Sequence, residues 1–328
     1  MFKYILKRLG ISILILFGVS FILYALLRCM PTDFIEQKII ALNTSGATVT
    51  EEFKQQLYKT YGLDGNIAQG YFNWLVNVFQ GNFGNSFISQ RPVLDEIFNA
   101  DRIGTSFIVA AIATVFEFMI AIPLGITAAT HQYSIRDYAV TVLVLIGISL
   151  PSFFFGQMLK DILANKLGLF PVSGMGDPNL SLTGMDAFLD YLHHMCLPIM
   201  TVVILSIGGR MRMTRTNMLE VLNADYIRTA RAKGLKEGSV IYKHAFRNTM
   251  IPLVTGLAGL IPSLFSGAMI TEQVFDLTGI GNYALNAMTQ GDIPVIMTYN
   301  MFLACLSVLG VLMADLMYAV VDPRVKLA

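Results

Sequence analysis

Between positions 104 and 129 the chain carries one charged residue, Glu117, and no other Asp, Glu, Lys or Arg. A run this long and this apolar leaves few folds open. A hydrocarbon core about 30 Å thick is crossed by about 20 helical residues. Inside it every backbone N–H and C=O must find a partner within the protein, which favours the helix. Comparable runs lie at 9–28, 138–160, 193–210, 249–270 and 296–320. Only 14% of the chain is charged, against about 25% in soluble domains. The pattern predicts an all-α polytopic membrane protein with six transmembrane helices, in a single domain spanning 1–328.

The charges orient it. With six crossings and both termini cytoplasmic, three Lys/Arg precede the first run, one lies in 130–137, nine between Arg210 and Arg247, and two after 321. Together these are 15 of the 23 in the chain. The outer stretch 271–295 has none. This is the cytoplasmic bias of basic residues. It requires the short run 193–210 to cross, because otherwise the most basic loop falls outside. The start, Lys3, Lys7 and Arg8 before an apolar run, imitates a signal peptide. Its run is long for a signal core and no small-x-small site follows, so it reads as an uncleaved first span. A small helical extracytoplasmic segment, 30–103, separates spans one and two.

Net charge is +1, which points to no nucleic acid. Cys29, Cys196 and Cys305 are far apart and make neither a disulfide framework nor a ligand pattern. His193 and His194 are adjacent, so on a helix they diverge by about 100°, and no metal site is expected. The chain has no G-x-x-x-x-G-K-[ST] phosphate loop, no nucleophile elbow and no H-E-x-x-H. It is not expected to be an enzyme or to hold a cofactor.

The basic stretch 211–248 reads as two short helices around Gly234. Leu219, Leu222, Tyr226 and Ala230 fall on one face. Val240, Ile241, His244 and Ala245 fit a second. Such a helix–glycine–helix knob is too short to fold alone. By spacing it suits a partner-binding loop and an anionic-lipid contact equally. Span five carries Thr255, Gly259, Ser263 and Gly267 every four residues, with Pro252 and Pro262 able to bend it. That stripe fits plain helix packing as well as a lined pathway. Glu117 and Asp315 fall within spans, where an ionised group is costly unless paired or wet.

The phrase YIRTARAKGL, followed ten residues on by HAFRN, resembles the coupling loop of ATP-binding-cassette importer permeases, peptide/nickel branch. The general motif is E-A-A, three residues, Gly, nine residues, I-x-L-P. Arg228, Thr229 and Ala230 stand on E-A-A, and His244, Phe246 and Arg247 on I, L and P; Ala230 and Gly234 match literally. Gly81-Asn82-Phe83-Gly84-Asn85-Ser86 resembles the branch's G-D-x-G-x-S, and Leu167 to Gly174 is similar to it as well. Glu272, Phe275, Gly279, Gly281, Asp292 and Pro294 match E-x-x-F-x-x-P-G-x-G and D-x-P, with Thr278 for the proline. Asp315, Tyr318, Asp322, Pro323 and Arg324 match its close.

The resemblance runs nearly end to end. It implies a multi-pass permease of the bacterial inner membrane, within an ATP-driven, binding-protein-dependent importer of peptides or a related solute. It implies four kinds of partner: a second related permease, two ATPase subunits, an extracytoplasmic solute-binding protein and lipid. The ATPase-coupling residues are Tyr226, Arg228, Ala230, Arg231, Gly234, Leu235, Val240, His244 and Arg247, with Tyr226, Ala230, Leu235 and Val240 as the apolar docking face. Thr255, Gly259, Ser263, Gly267 and Glu117 belong to the pathway or a helix interface. Gly81, Gly84, Ser86, Glu272, Gly279 and Gly281 belong to binding-protein docking. Two other classes fit parts of the sequence: a proton-coupled secondary transporter using Glu117 or Asp315, and a membrane scaffold that recruits a soluble partner through its basic loop.

Overall fold

A computed structural model describes residues 2–29, 34–44, 50–61, 63–177, 182–250 and 256–321. The chain is helical throughout, with one isolated bridge, Asn85 to Pro92, among the described residues. Helix α1 covers Phe2–Arg28. Three shorter helices follow: α2 (Phe34–Thr44), α3 (Glu51–Thr60) and α4 (Ile67–Phe79). Thr50 and Asn66 start α3 and α4 by accepting N–H groups of the first turn, at Phe53 and Ala68. This insert packs its rings, Tyr71 and Trp74 among them, against Tyr24 near the end of α1.

Among the described residues, four helices are long and apolar enough to cross a membrane, within Arg8–Arg28, Val93–Thr130, Met185–Leu222 and Ile293–Asp315. The second combines α5 (Val93–Ile97) with α6 (Ala100–Thr130), where Asn99 caps α6 through the N–H groups of Asp101 and Arg102. Next come α7 (Ile135–Ser149) and α8 (Ser152–Leu159, continued by a π-helical turn, Lys160–Lys166). Then follow α9 (Met185–Leu222) and α10 (Asp225–Ala232).

 

The last elements are α11 (Leu260–Ser266), α12 (Met269–Val274), α13 (Ile280–Gln290) and α14 (Ile293–Val321).

Two of the expected spans are not single helices, and this corrects the sequence expectation. The run 138–160 breaks at Leu150, whose extended backbone (ψ 132°) precedes Pro151, and the chain resumes as α8, Ser152–Leu159. A proline ring disfavours helical geometry in the residue before it. The run 249–270 includes positions 251–255, outside the described residues. It then forms a 3-10 turn, Gly256–Gly259, and α11, which stops at Gly267 with φ +71°. The stripe expected on one continuous helix is therefore divided. The other runs are longer than expected, and α9 carries its helix through Leu222, well into the basic stretch.

The centre of the fold is the α6–α9 pair. Small residues of α6, Ala113, Ala121 and Ala128, meet Val203, Ile207 and Met211 of α9, with Val144 of α7 beside them. Small side chains let helix backbones approach closely where lipid supplies no hydrophobic drive between them. Arg8 and Asp315 pair at 2.8 Å where α1 runs beside α14.

Candidate functional site

Three arrangements carry functional weight: a knob at one end of α9, a cavity along α6 and α9, and two carboxylate clasps between loops.

The knob forms because α9 ends at Leu222 and the chain turns through Asn223 and Ala224, where Ala224 is extended (ψ 149°). Helix α10 then restarts in a new phase. Its inward face is Ile227 and Ala230, not Tyr226. Gly234, at φ +77°, supplies the left-handed turn that ordinary residues resist. The return strand of the knob is a π-helical turn, Val240–Phe246, in place of the expected α-helix. Ile227, Ala230, Val240 and Ala245 pack with Ile126 and Ala129 of α6 and Met218 of α9. The knob is thus built onto the central helix pair.

Of the expected docking face, Tyr226 (48% exposed) and Leu235 (42%) point outward, while Ala230 and Val240 are in the knob's own core. A buried side chain reaches no partner directly, so these two hold the knob's shape. Arg228, Arg231 and Arg247 are exposed and His244 is half-buried. Arg231 is held by Glu237 at 2.7 Å, and Arg228 lies 3.7 Å from Asp225. Exposed Tyr242 joins the outer face. Sequence reasoning missed Ile227 because it ran the α9 periodicity through the break at Asn223. Nearby, Arg215 of α9 grips Asp137 of α7 with two hydrogen bonds, 3.0 and 2.9 Å. That guanidinium holds the Asp137 carboxyl below the usual carboxylate range.

The cavity, about 350 Å³, lies between α6, α9 and α11. It brings together Glu117, Ser263 and Gly267, three of the five residues expected of a pathway. Gly259 is exposed, with open space where a Cβ would stand, and Thr255 lies outside the described residues. Arg210, which sequence reasoning left among the basic-loop residues, donates from Nε to Glu117 Oε1 at 3.0 Å. Its guanidinium also stacks over the Phe118 ring at 4.5 Å. Glu117 is therefore paired, which is how a membrane-depth carboxylate is tolerated.

Two buried carboxylates then fasten the loops. Glu272 is fully buried. It accepts Ser106 Oγ at 2.7 Å, the Ala268 N–H at 3.1 Å and the Asn282 N–H at 2.8 Å. Ser106 in turn accepts the Ile280 N–H at 2.9 Å. Gly267, Gly279 and Gly281 surround this carboxylate so closely that a Cβ on any of them would collide with it. Asp292 accepts Ser86 Oγ at 2.6 Å and the Phe87 N–H at 3.1 Å. Burial outweighs these donors and pushes both carboxyls up. Ser86, Glu272, Gly279 and Gly281 are buried, whereas Gly81 and Gly84 are exposed turn residues. His193 meets the Leu169 carbonyl and His194 meets Asp190; no group of three or more metal-ligating side chains occurs among the described residues.

Residues 121–327 match the family described as "Binding-protein-dependent transport system inner membrane component", and residues 1–119 match its N-terminal companion. The chain belongs to this family. It is an inner-membrane permease component. It is 36% identical to "Oligopeptide transport system permease protein AppB" of Bacillus subtilis (strain 168), over 99% of this chain and all of that one. It is 34% identical to "Dipeptide transport system permease protein DppB" of Escherichia coli (strain K12), over 99% of each. In fold, the permease resembles a solved chain titled "Inward facing conformations of the MetNI methionine ABC transporter". That match has a TM-score of 0.50 at 16% identity and covers 67% of this chain and 94% of that one.

Proposed function

We propose that this permease is one of two membrane subunits of an ATP-driven importer for dipeptides and oligopeptides. The observation that carries the substrate is the full-length similarity to the AppB and DppB permeases, which are named for those solutes. In this reading the chain crosses the membrane six times, with α7–α8 and the α11 region supplying the two broken crossings. Both termini and the knob face the cytoplasm, as the basic residues favour. The insert, the Asp292 clasp and the Glu272 clasp face outward, and Gly81 and Gly84 present the turn on which a solute-binding protein docks.

Two separate ATPase subunits close on ATP, and a groove on one of them grips the knob through Tyr226, Leu235 and the exposed Arg228, Arg231 and Arg247. The buried Ile227 and Val240 pass that displacement to α6 and α9. Moving a two-state bundle from 1:99 to 99:1 requires about 5.5 kcal/mol of differential binding. A second, related permease completes the pathway. The ion pairs of Glu117 with Arg210 and of Asp315 with Arg8 argue against a free proton site and so favour this reading over a proton-coupled transporter.

The test is affinity purification of the tagged permease from its native membrane, beside Gly234→Pro, with peptide uptake measured in both. Wild type is expected to retain ATPase subunits and ATP-dependent uptake, and the variant to lose the coupling. Uptake that follows the proton gradient, with no ATPase recovered, overturns the proposal. Labelling of single cysteines placed at Gly234 and at Asn85 from the two membrane sides tests the topology, with opposite sidedness expected.

A further inference from the structure

The Glu117–Arg210 contact is made at one corner only. Arg210 uses Nε toward Oε1 of Glu117. Among the described residues, its two Nη nitrogens and the Oε2 of Glu117 make no hydrogen bond. Both side chains line the 350 Å³ cavity. That volume lies at the small end of the range of about 300–1,000 Å³ that holds small ligands. The Nη1/Nη2 edge is the planar fork that takes a carboxylate with two parallel bonds. The remaining wall mixes small residues, Ala110, Ala113, Ser263 and Gly267 among them, with the larger Val109 and Leu260. The backbone there leaves the helix at Gly267, and irregular backbone at membrane depth is tolerated where it lines a cavity.

Resting on the peptide-importer reading above, we infer that Glu117 and Arg210 form a subsite for the two charged ends of a short zwitterionic peptide. The peptide's carboxylate meets the free Nη edge of Arg210, and its ammonium meets Oε2 of Glu117. A solute with both charges adds one partner to each side chain while the Nε–Oε1 contact stays, and leaves no charge in the cavity alone. A solute with one end blocked brings a single net charge to a pair that is already neutral, and that charge has no counter-ion in the cavity. Uncompensated charge is strongly disfavoured at low dielectric, so the site selects by what it rejects as well as by what it binds.

The experiment uses the complete complex, with its ATPases and binding protein, in proteoliposomes. Uptake of dialanine, N-acetyl-dialanine and dialanine amide is compared for wild type, Glu117→Gln, Arg210→Gln and Arg210→Lys. The binding protein is the same in every arm, so a change in the ratio between solutes reports the membrane step. Glu117→Gln is expected to lower dialanine uptake at least about tenfold while leaving the N-acetyl peptide unchanged, erasing the preference for a free amine. Arg210→Gln is expected to do the same for the free carboxylate against the amide. Arg210→Lys keeps the charge and the pairing but loses the fork; its preference for the free acid is expected to drop several-fold. It also keeps the test decisive if the neutral variants fail to assemble. Variants that slow all three solutes by one factor, or Arg210→Lys with wild-type selectivity, mean a structural pair and overturn the inference. Dialanine transport by wild type in that same experiment leaves the importer reading standing. A wild type that moves none of the three peptides removes both.

Discussion

The hydroxyl of Ser106 donates to Oε1 of Glu272 over 2.7 Å and accepts the Ile280 N–H over 2.9 Å, so one side chain of α6 fixes both ends of the α12–α13 turn. Ser106→Ala would strand a buried N–H and remove a donor from a buried carboxylate. The expected loss is about 1–3 kcal/mol, read as a lower unfolding midpoint of the purified complex. Gly279→Ala is expected to be at least as damaging, since the new Cβ would occupy the carboxylate's place. A wild-type midpoint for both changes contradicts the clasp.

The acidic limb of stability contains two opposite contributions. Glu272 is raised by burial, so the folded state holds its proton more tightly than the unfolded chain does. Its contribution is full below the unfolded value of about 4.3 and is lost as pH rises through the raised folded value. Asp137 is lowered by Arg215. Its contribution is present above an unfolded value of about 3.9 and is lost as pH falls through the lower folded value. Unfolding midpoints measured across this range are expected to flatten above pH ~4 in Glu272→Gln and below it in Asp137→Asn. Profiles that keep the wild-type slope in both windows would count against these assignments.

Arg215 and Asp137 tie α7 to α9 just before the knob, by two hydrogen bonds with the carboxylate side chain only 6% exposed. Arg215→Gln is expected to cost about 1.5–3 kcal/mol, the scale of hydrogen bonds to charged groups. Thermal unfolding beside Asp137→Asn, and the double variant, gives the coupling energy. Strictly additive losses would show that the two side chains act independently.

Within the knob, packing and docking separate by position. Ile227 is fully buried and Tyr226 is 48% exposed. Ile227→Ala is expected to destabilise by about 2–5 kcal/mol. Tyr226→Ala is expected to leave stability within about 0.5 kcal/mol and to lower ATP-driven uptake. If Tyr226→Ala unfolds the protein while Ile227→Ala does not, the assignment of faces is reversed.

Gly234 stands at φ +77° with open space around it. Its substitution is therefore a question of backbone, not of crowding. Gly234→Ala is expected to cost about 1–2 kcal/mol, and Gly234→Asn less, because asparagine tolerates the left-handed region. Equal costs for the two, measured by unfolding, would point to a steric cause instead.

The local signals were legible where one residue or one run decides the matter. The apolar runs at 9–28, 104–129 and 296–320 became helices because lipid-length apolar stretches have few alternatives. The turn at Gly234 followed from a glycine between two amphipathic stretches. Gly267 was visible in a stripe of small residues, and Gly279 and Gly281 in a motif, but the sequence did not say that one group crowds all three. The answer is Glu272, together with a serine 166 positions away. Likewise, Glu117 was visible as an acid in an apolar run, and Arg210 as the first base of a loop. Their pairing depends on how α6 and α9 lie against each other.

By itself the sequence determined the helical class, the membrane habit, the placement of basic residues and the family's motifs. These depend on hydrophobicity, length and residue order, which act along the chain. Tertiary structure alone decided that the chain leaves its helix at Gly267, where Glu272 and Gly281 leave no room for a side chain. It also decided that Ile227 rather than Tyr226 faces inward, and that Ser86 and Glu272 are buried clasps. Those outcomes are set by phase after a break and by contacts between residues up to 206 positions apart. No periodicity along the chain records them, because a side chain's partners are fixed only when distant helices pack.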